Sequence, residues 1–309
     1  MNLLRTELRR LLARRLYRIV AALLLGLVVL IVGRTALDSQ RATPERVAAA
    51  RAEQQARTDQ FRADCRQHAP PDQQAECENI EGPPVEFLLN TFRFADSARD
   101  LVIALGVALG LVGFVVGAGF LGAEWSAGTL GHLLVWEPRR LRVLAGKAGA
   151  LALGLAGLGA VLMALHIAAL YGAAAVRGST DGTTSGVLAS VALTGVRGVA
   201  LAVGTALAGF ALAGLVRSTT GAIGLGFAYF VAGELALRSL SRDAEPWLLS
   251  TNVAAWLERS ITIYLYCPSC VNGEQQVVVT GGHAAAYLGA LVAAAVVASA
   301  ALFRRRDVT

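Results

Sequence analysis

The chain has 309 residues, 55% of them hydrophobic and only 16% charged, with a formal net charge of +6. That apolar excess is typical of packed transmembrane helices and agrees with an integral membrane protein. The basic surplus sits beside the apolar stretches, so it fits anionic lipid headgroups and argues against nucleic acid as a partner.

Leu4, Leu8, Leu11 and Leu12 recur at helical spacing while Arg5 and Arg9 take another face. This predicts an amphipathic N-terminal helix lying along the membrane interface. Its arginine density, with no small-residue cleavage pattern behind it, argues against a cleaved signal peptide. Six apolar stretches follow, at 17–33, 101–121, 148–171, 187–215, 219–237 and 283–303. Each is close to the ~20 residues that a helix rising ~1.5 Å per residue needs to cross a ~30 Å hydrocarbon layer. The expected fold class is all-α: six transmembrane helices in one domain over 1–309. The 33 glycines suit such a fold, because small residues let helix backbones approach closely.

Between the first two spans, 36–98 reads as a helical insertion. Residues 44–67 are rich in Ala, Gln, Glu and Arg, Pro70 and Pro71 break the pattern, and a short second helix through Asn79 ends at Gly82-Pro83-Pro84. Cys65 and Cys77 flank the break, where a disulfide would staple a hairpin in an oxidising compartment; two unpaired thiols are the alternative. After the second span, 122–137 runs from Gly122-Ala123-Glu124-Trp125-Ser126-Ala127-Gly128-Thr129-Leu130 to Trp136-Glu137, with Pro138-Arg139-Arg140 beyond. Leu130, Leu133 and Leu134 fall on one helical face and Pro138 ends it, so a short amphipathic helix is expected there.

Two charges lie inside the spans, Arg197 on the fourth and Glu234 on the fifth. An ionised group at mid-bilayer costs at least ~2.5 kcal/mol, so each needs a partner or a function. They reach similar depths, which favours an Arg197–Glu234 ion pair between neighbouring helices, with substrate contact as the alternative. His166 on the third span stands at comparable height and completes this intramembrane set. The segment 238–282 carries Trp247, Trp256, Tyr264 and Tyr266, rings that suit a membrane interface. Cys267 and Cys270 form a lone C-x-x-C without further zinc ligands or a redox-fold context. A structural disulfide is expected, within that motif or with Cys65 and Cys77; four cysteines allow three connectivities.

Charge sets the orientation. With the N-terminus inside, inner segments hold 14 basic groups against four acidic, or +10, and outer segments hold 13 against 17, or −4. The positive-inside bias therefore predicts both termini inside, with 36–98 and 238–282 extracytoplasmic and 122–137 cytoplasmic. The nine arginines between Arg34 and Asp100 do not overturn this, because a loop longer than ~60 residues is translocated largely regardless of its charge.

The Glu-Trp-x-x-Gly-Thr-Leu run after the second of six spans, followed by Trp-Glu-Pro-Arg-Arg, resembles the permease subunits of ABC-2 type ATP-binding cassette transporters. The basic amphipathic N-terminus and the Phe303-Arg304-Arg305-Arg306-Asp307 ending are similar to bacterial members, and the six-span layout matches from end to end. The resemblance implies that 122–137 is a coupling helix docking on a separate cytoplasmic ABC ATPase dimer, with Glu124, Trp125, Gly128, Thr129, Arg139 and Arg140 at the contact. It also implies a second permease copy or a related chain as partner. The plainer account makes the tryptophans interfacial anchors and the arginines ligands of lipid phosphate.

A nucleotide loop of the form G-x-x-x-x-G-K-[ST] is missing: Lys147 is the only lysine, but Ala148 follows it and Leu141 stands where the first glycine belongs. The chain is thus expected to be no enzyme and to hold no cofactor, with ATP and Mg in the partner. There is no H-E-x-x-H or G-x-S-x-G motif either. The expected function is an export permease for an amphiphilic or hydrophobic substrate in a bacterial cytoplasmic membrane. The alternatives are an ion-coupled secondary transporter using Arg197, Glu234 and His166, and a non-transporting membrane scaffold.

Overall fold

Six helices among the described residues are long and apolar enough to cross a membrane, and each contains one of the expected stretches: Arg15–Asp38, Phe94–Ser126, Arg140–Arg177, Ser185–Val216, Thr219–Leu240 and Gly281–Arg305. The computed structural model describes residues 3–70, 74–136, 139–266 and 274–305. Pro71, Glu137, Pro138, Cys267 and Cys270 lie outside that set, as do the side chains of Leu133, Leu134, Trp136 and Tyr266.

In chain order the helices are α1 (Leu3–Ala13), α2 (Arg15–Asp38), α3 (Pro44–His68), the short α4 (Val85–Leu88), α5 (Phe94–Ser126), α6 (Thr129–Trp136), α7 (Arg140–Arg177), α8 (Ser185–Val216), α9 (Thr219–Ala228), α10 (Glu234–Leu240), α11 (Leu249–Glu258) and α12 (Gly281–Arg305). A π-helical turn, Tyr229–Gly233, joins α9 to α10 within the fifth span. The expected amphipathic N-terminal helix is α1, with Glu7 and Leu11 on its buried side. The chain divides into two units, residues 1–28, 99–165 and 189–309 forming one and residues 29–98 and 166–188 the other.

In the first unit α5 buries Val102, Leu105, Leu109, Val116 and Phe120, a run at helical spacing that forms one apolar stripe. It meets α8 where glycines allow backbone contact: a methyl on Gly117 would overlap the carbonyl of Ala206, and one on Gly209 that of Phe114. Thr205 Oγ1 donates to Gly110 O at 2.7 Å across the same seam. Tyr17 Oη donates to Gly154 O at 2.8 Å and so fastens α2 to α7.

Residues 238–282 are more ordered than an interfacial aromatic stretch. A 3₁₀ turn, Arg242–Trp247, leads into α11, and the chain then forms a hairpin of β1 (Ser260–Tyr266) and β2 (Glu274–Thr280), antiparallel with Ser260 opposite Thr280. Ile263 and Leu265 alternate with exposed Thr262 and Tyr264, so one face of the ribbon packs with Ala255, Val279 and Ala284. Trp247 and Tyr264 are exposed as interfacial rings would be.

The second unit holds the insertion. Pro44 opens α3 and Thr43 caps it, its Oγ1 accepting from Arg46 N. Opposite the end of α3, a 3₁₀ turn over Glu76–Asn79 takes the place of the short second helix. A disulfide joins Cys65 to Cys77, with Arg66 and Glu78 ion-paired beside it at 2.5 Å. Of the three possible cysteine connectivities, this pairing excludes those that cross-link the insertion to the C-x-x-C.

Candidate functional site

The end of α5 carries the sequence's sharpest motif. Ser126 closes the helix by donating Oγ to Gly122 O at 3.0 Å, and the chain then turns through Gly128 at φ +66° before Thr129 begins α6. Only a residue without Cβ takes that left-handed conformation cheaply, which gives Gly128 its reason to be glycine. Gly128 has nothing within 4 Å of a Cβ position, so within the chain its role is the turn and not a close approach.

Glu124 does not point outward. Its carboxylate accepts from Arg14 Nη2 at 2.6 Å and lies 2.8 Å from Lys147 Nζ. Lys147 also donates to Glu7 Oε2 at 2.8 Å, and Arg10 Nη1 reaches Glu7 Oε1 at 3.0 Å. Arg14 further donates to Phe120 O at 3.1 Å, with its guanidinium 4.6 Å from the Phe120 ring centroid. Two carboxylates face Lys147 and Arg14 in the interior, and a third cation, Arg10, meets Glu7 from a half-exposed position. Burying such groups unpaired would cost several kcal/mol each, and mutual hydrogen bonding offsets that cost. The network joins α1, the end of α5 and the start of α7.

Trp125 is also turned inward. Its ring meets Phe303 edge-on at 5.9 Å and lies beneath the Arg217 guanidinium at 4.9 Å, which ties it to α12 and to the α8–α9 turn. Glu124 and Trp125, both half-buried, thus make contacts within the chain that hold the motif in place from behind. Ser126, Ala127, Gly128 and Thr129 are exposed, Arg139 is exposed and Arg140 is half-buried. Lys147 and Glu7 were missed. The signal for them was a single lysine in a chain otherwise basic only through arginine, and a single acid in an arginine-rich amphipathic helix.

The intramembrane set divides. Arg197 and Glu234 are not paired: Glu234 Oε1 accepts from Ser250 N at 2.8 Å at the start of α11, while the Arg197 guanidinium lies 5.8 Å from the Trp256 ring centroid. Each instead meets a different residue of α11, Glu234 at Ser250 and Arg197 at Trp256, which are six positions apart. His166 is buried on α7 within the second unit.

A family model described as ABC-2 family transporter protein matches residues 1–308. No curated protein matches the chain. With six apolar spans, a motif-bearing turn after the second of them and a family match along almost the whole sequence, the chain belongs to the ABC-2 family of transporter proteins and is a multi-pass membrane permease component of an ABC transporter.

Proposed function

We propose that this permease exports an amphiphilic or hydrophobic molecule across a bacterial cytoplasmic membrane, driven by two cytoplasmic ATPases that dock on the segment 122–137. Two copies of the chain enclose the path. Both termini lie inside, and 36–98 and 238–282 shape the outer exit. ATP and Mg belong to the partner, whose closure pulls on the α5–α6 turn.

The single observation carrying this reading is the construction of that turn. Its exposed tip, Ser126 to Thr129, is held from behind by partly buried ionic contacts from Glu124 to Arg14 and Lys147, so force applied at the tip reaches α1 and α7 through them. A rigid, small-residue tip on a charged anchor suits docking in a partner's cleft. The separate neighbours of Arg197 and Glu234 give no support to the secondary-transporter alternative.

The test is co-purification with a cytoplasmic ABC ATPase co-expressed from the same source. Ala127→Trp and Thr129→Trp add bulk at exposed positions, and each is expected to lower retained ATPase at least about tenfold while leaving the melting temperature unchanged. Unchanged retention in both variants would overturn the docking assignment.

A further inference from the structure

Three arginines from separate elements gather where α5, α8 and α11 meet. Arg99 sits near the start of α5, Arg197 on α8, and Arg259 directly after α11. The backbones are close here, since a methyl on Gly198 would stand 2.9 Å from Gly106 Cα. Trp256 Nε1 donates to Arg197 O at 3.0 Å, and Arg99 Nη2 donates to Glu258 O at 2.5 Å, so both ends of the cluster are anchored on α11. Arg99 and Arg197 thus both meet the last turn of α11, directly after which Arg259 stands.

Two features are unexplained by packing. Arg99 Nε and Arg197 Nη1 are shielded from solvent and have no hydrogen-bond partner, and no ion pair joins any of the three arginines to a carboxylate among the described residues. The acids adjacent in sequence, Asp100 and Glu258, are exposed. Holding Arg99 and Arg197 beside a membrane span with buried N–H donors unused is unfavourable unless an anion completes the set, and exposed Arg259 adds a third cation at its edge. Arg259 also holds φ +79°, a conformation in which glycine would be unstrained, yet the position carries a charged side chain.

We propose that Arg99, Arg197 and Arg259 form a binding site for the anionic headgroup, phosphate or carboxylate, of an amphiphile. Guanidinium forks match the paired oxygens of such groups, and the Trp256 ring gives the site an apolar wall beside the Arg197 fork. The site deepens the export reading by naming the charge of the molecule handled, and for its role in transport it rests on that reading. Binding itself does not depend on it. Two sources share the chemistry: a resident anionic lipid and the exported molecule.

The experiment uses the full-length protein in a neutral maltoside detergent, titrated with dihexanoyl phosphatidic acid, dihexanoyl phosphatidylcholine and inorganic phosphate. The wild type is expected to bind phosphatidic acid at least about tenfold more tightly than phosphatidylcholine, with the preference falling as salt rises. Arg197→Gln should abolish that preference and Arg197→Lys should keep part of it. Arg259→Gly decides the matter if Arg197→Gln fails to fold, because glycine accepts the backbone conformation: affinity for phosphatidic acid should drop severalfold with no loss of melting temperature.

No preference in the wild type, or unchanged affinity in Arg259→Gly, overturns the site. Inorganic phosphate binding as tightly as phosphatidic acid overturns the headgroup assignment. With the partner ATPase in vesicles, ATP-dependent movement of labelled phosphatidic acid identifies the headgroup as substrate, and binding without movement identifies a resident lipid; either supports the site. Failure of any ATPase to associate would sink the export reading and leave the titrations standing.

Discussion

Lys147 Nζ lies 2.8 Å from Glu7 Oε2 across 140 residues of sequence, with both side chains shut off from water. Removing one partner of such a pair leaves an uncompensated buried charge, a loss of about 3–5 kcal/mol. Lys147→Met would leave Glu7 and Glu124 sharing only arginines at the edge of the network. It is expected to lower the melting temperature of the detergent-solubilised protein markedly. The double variant Glu7→Leu with Lys147→Met replaces the pair by apolar groups and should recover most of that loss, since well-packed hydrophobic residues commonly substitute for a buried ion pair without penalty. A single variant that melts with the wild type would show that the pair does not hold α1 to α7.

Hydropathy over windows of about 20 residues is a local property, which is why all six spans and the amphipathic α1 were legible in the sequence. The Glu124–Thr129 motif and the family likeness were legible for the same reason. What escaped is what depends on direction around a helix or on distant partners. The contacts that Glu124 makes within the chain were not legible, because its cations, Arg14 and Lys147, lie 110 and 23 residues away. Arg197 and Glu234 were expected at one depth, but their partners on α11, Trp256 and Ser250, could not be read from the sequence. The β-hairpin was hidden by its aromatic residues, which read as interfacial anchors, although Ile261, Ile263 and Leu265 already alternated with a period of two.

The Cys65–Cys77 bond closes a loop of 12 residues' separation between α3 and the 3₁₀ turn. A cross-link of that span restricts the unfolded chain by about 3 kcal/mol in the loop-entropy model. In a background with Cys267 and Cys270 replaced by serine, intact cells are expected to take up no membrane-impermeant maleimide on this protein until a reductant is added, and two labels afterwards. Labelling that requires broken cells would place the insertion inside and reverse the proposed orientation. Cys65→Ala with Cys77→Ala should insert normally into the membrane but become sensitive to protease within 44–79, because the polar contacts left to join the turn to α3 are the exposed Arg66–Glu78 pair and the partly buried bond from Arg62 Nε to Ile80 O.

Glu234 gives a direct way to separate structural from relay chemistry. Its Oε1 accepts the Ser250 amide at 2.8 Å, which satisfies one of the N–H groups left open at the start of α11. Glu234→Gln keeps a carbonyl oxygen in the same place and is expected to preserve both stability and ATP-driven transport. Glu234→Ala removes the acceptor, leaves the amide without its partner and should cost about 1–3 kcal/mol, read as a lower melting temperature. A proton relay would respond differently, because glutamine cannot carry a proton through its amide group at neutral pH and would be as damaging as alanine. Transport that survives in the glutamine variant and weakens in the alanine variant in step with its stability therefore assigns Glu234 to holding α11; equal loss in both, with wild-type melting temperatures, would return it to proton chemistry.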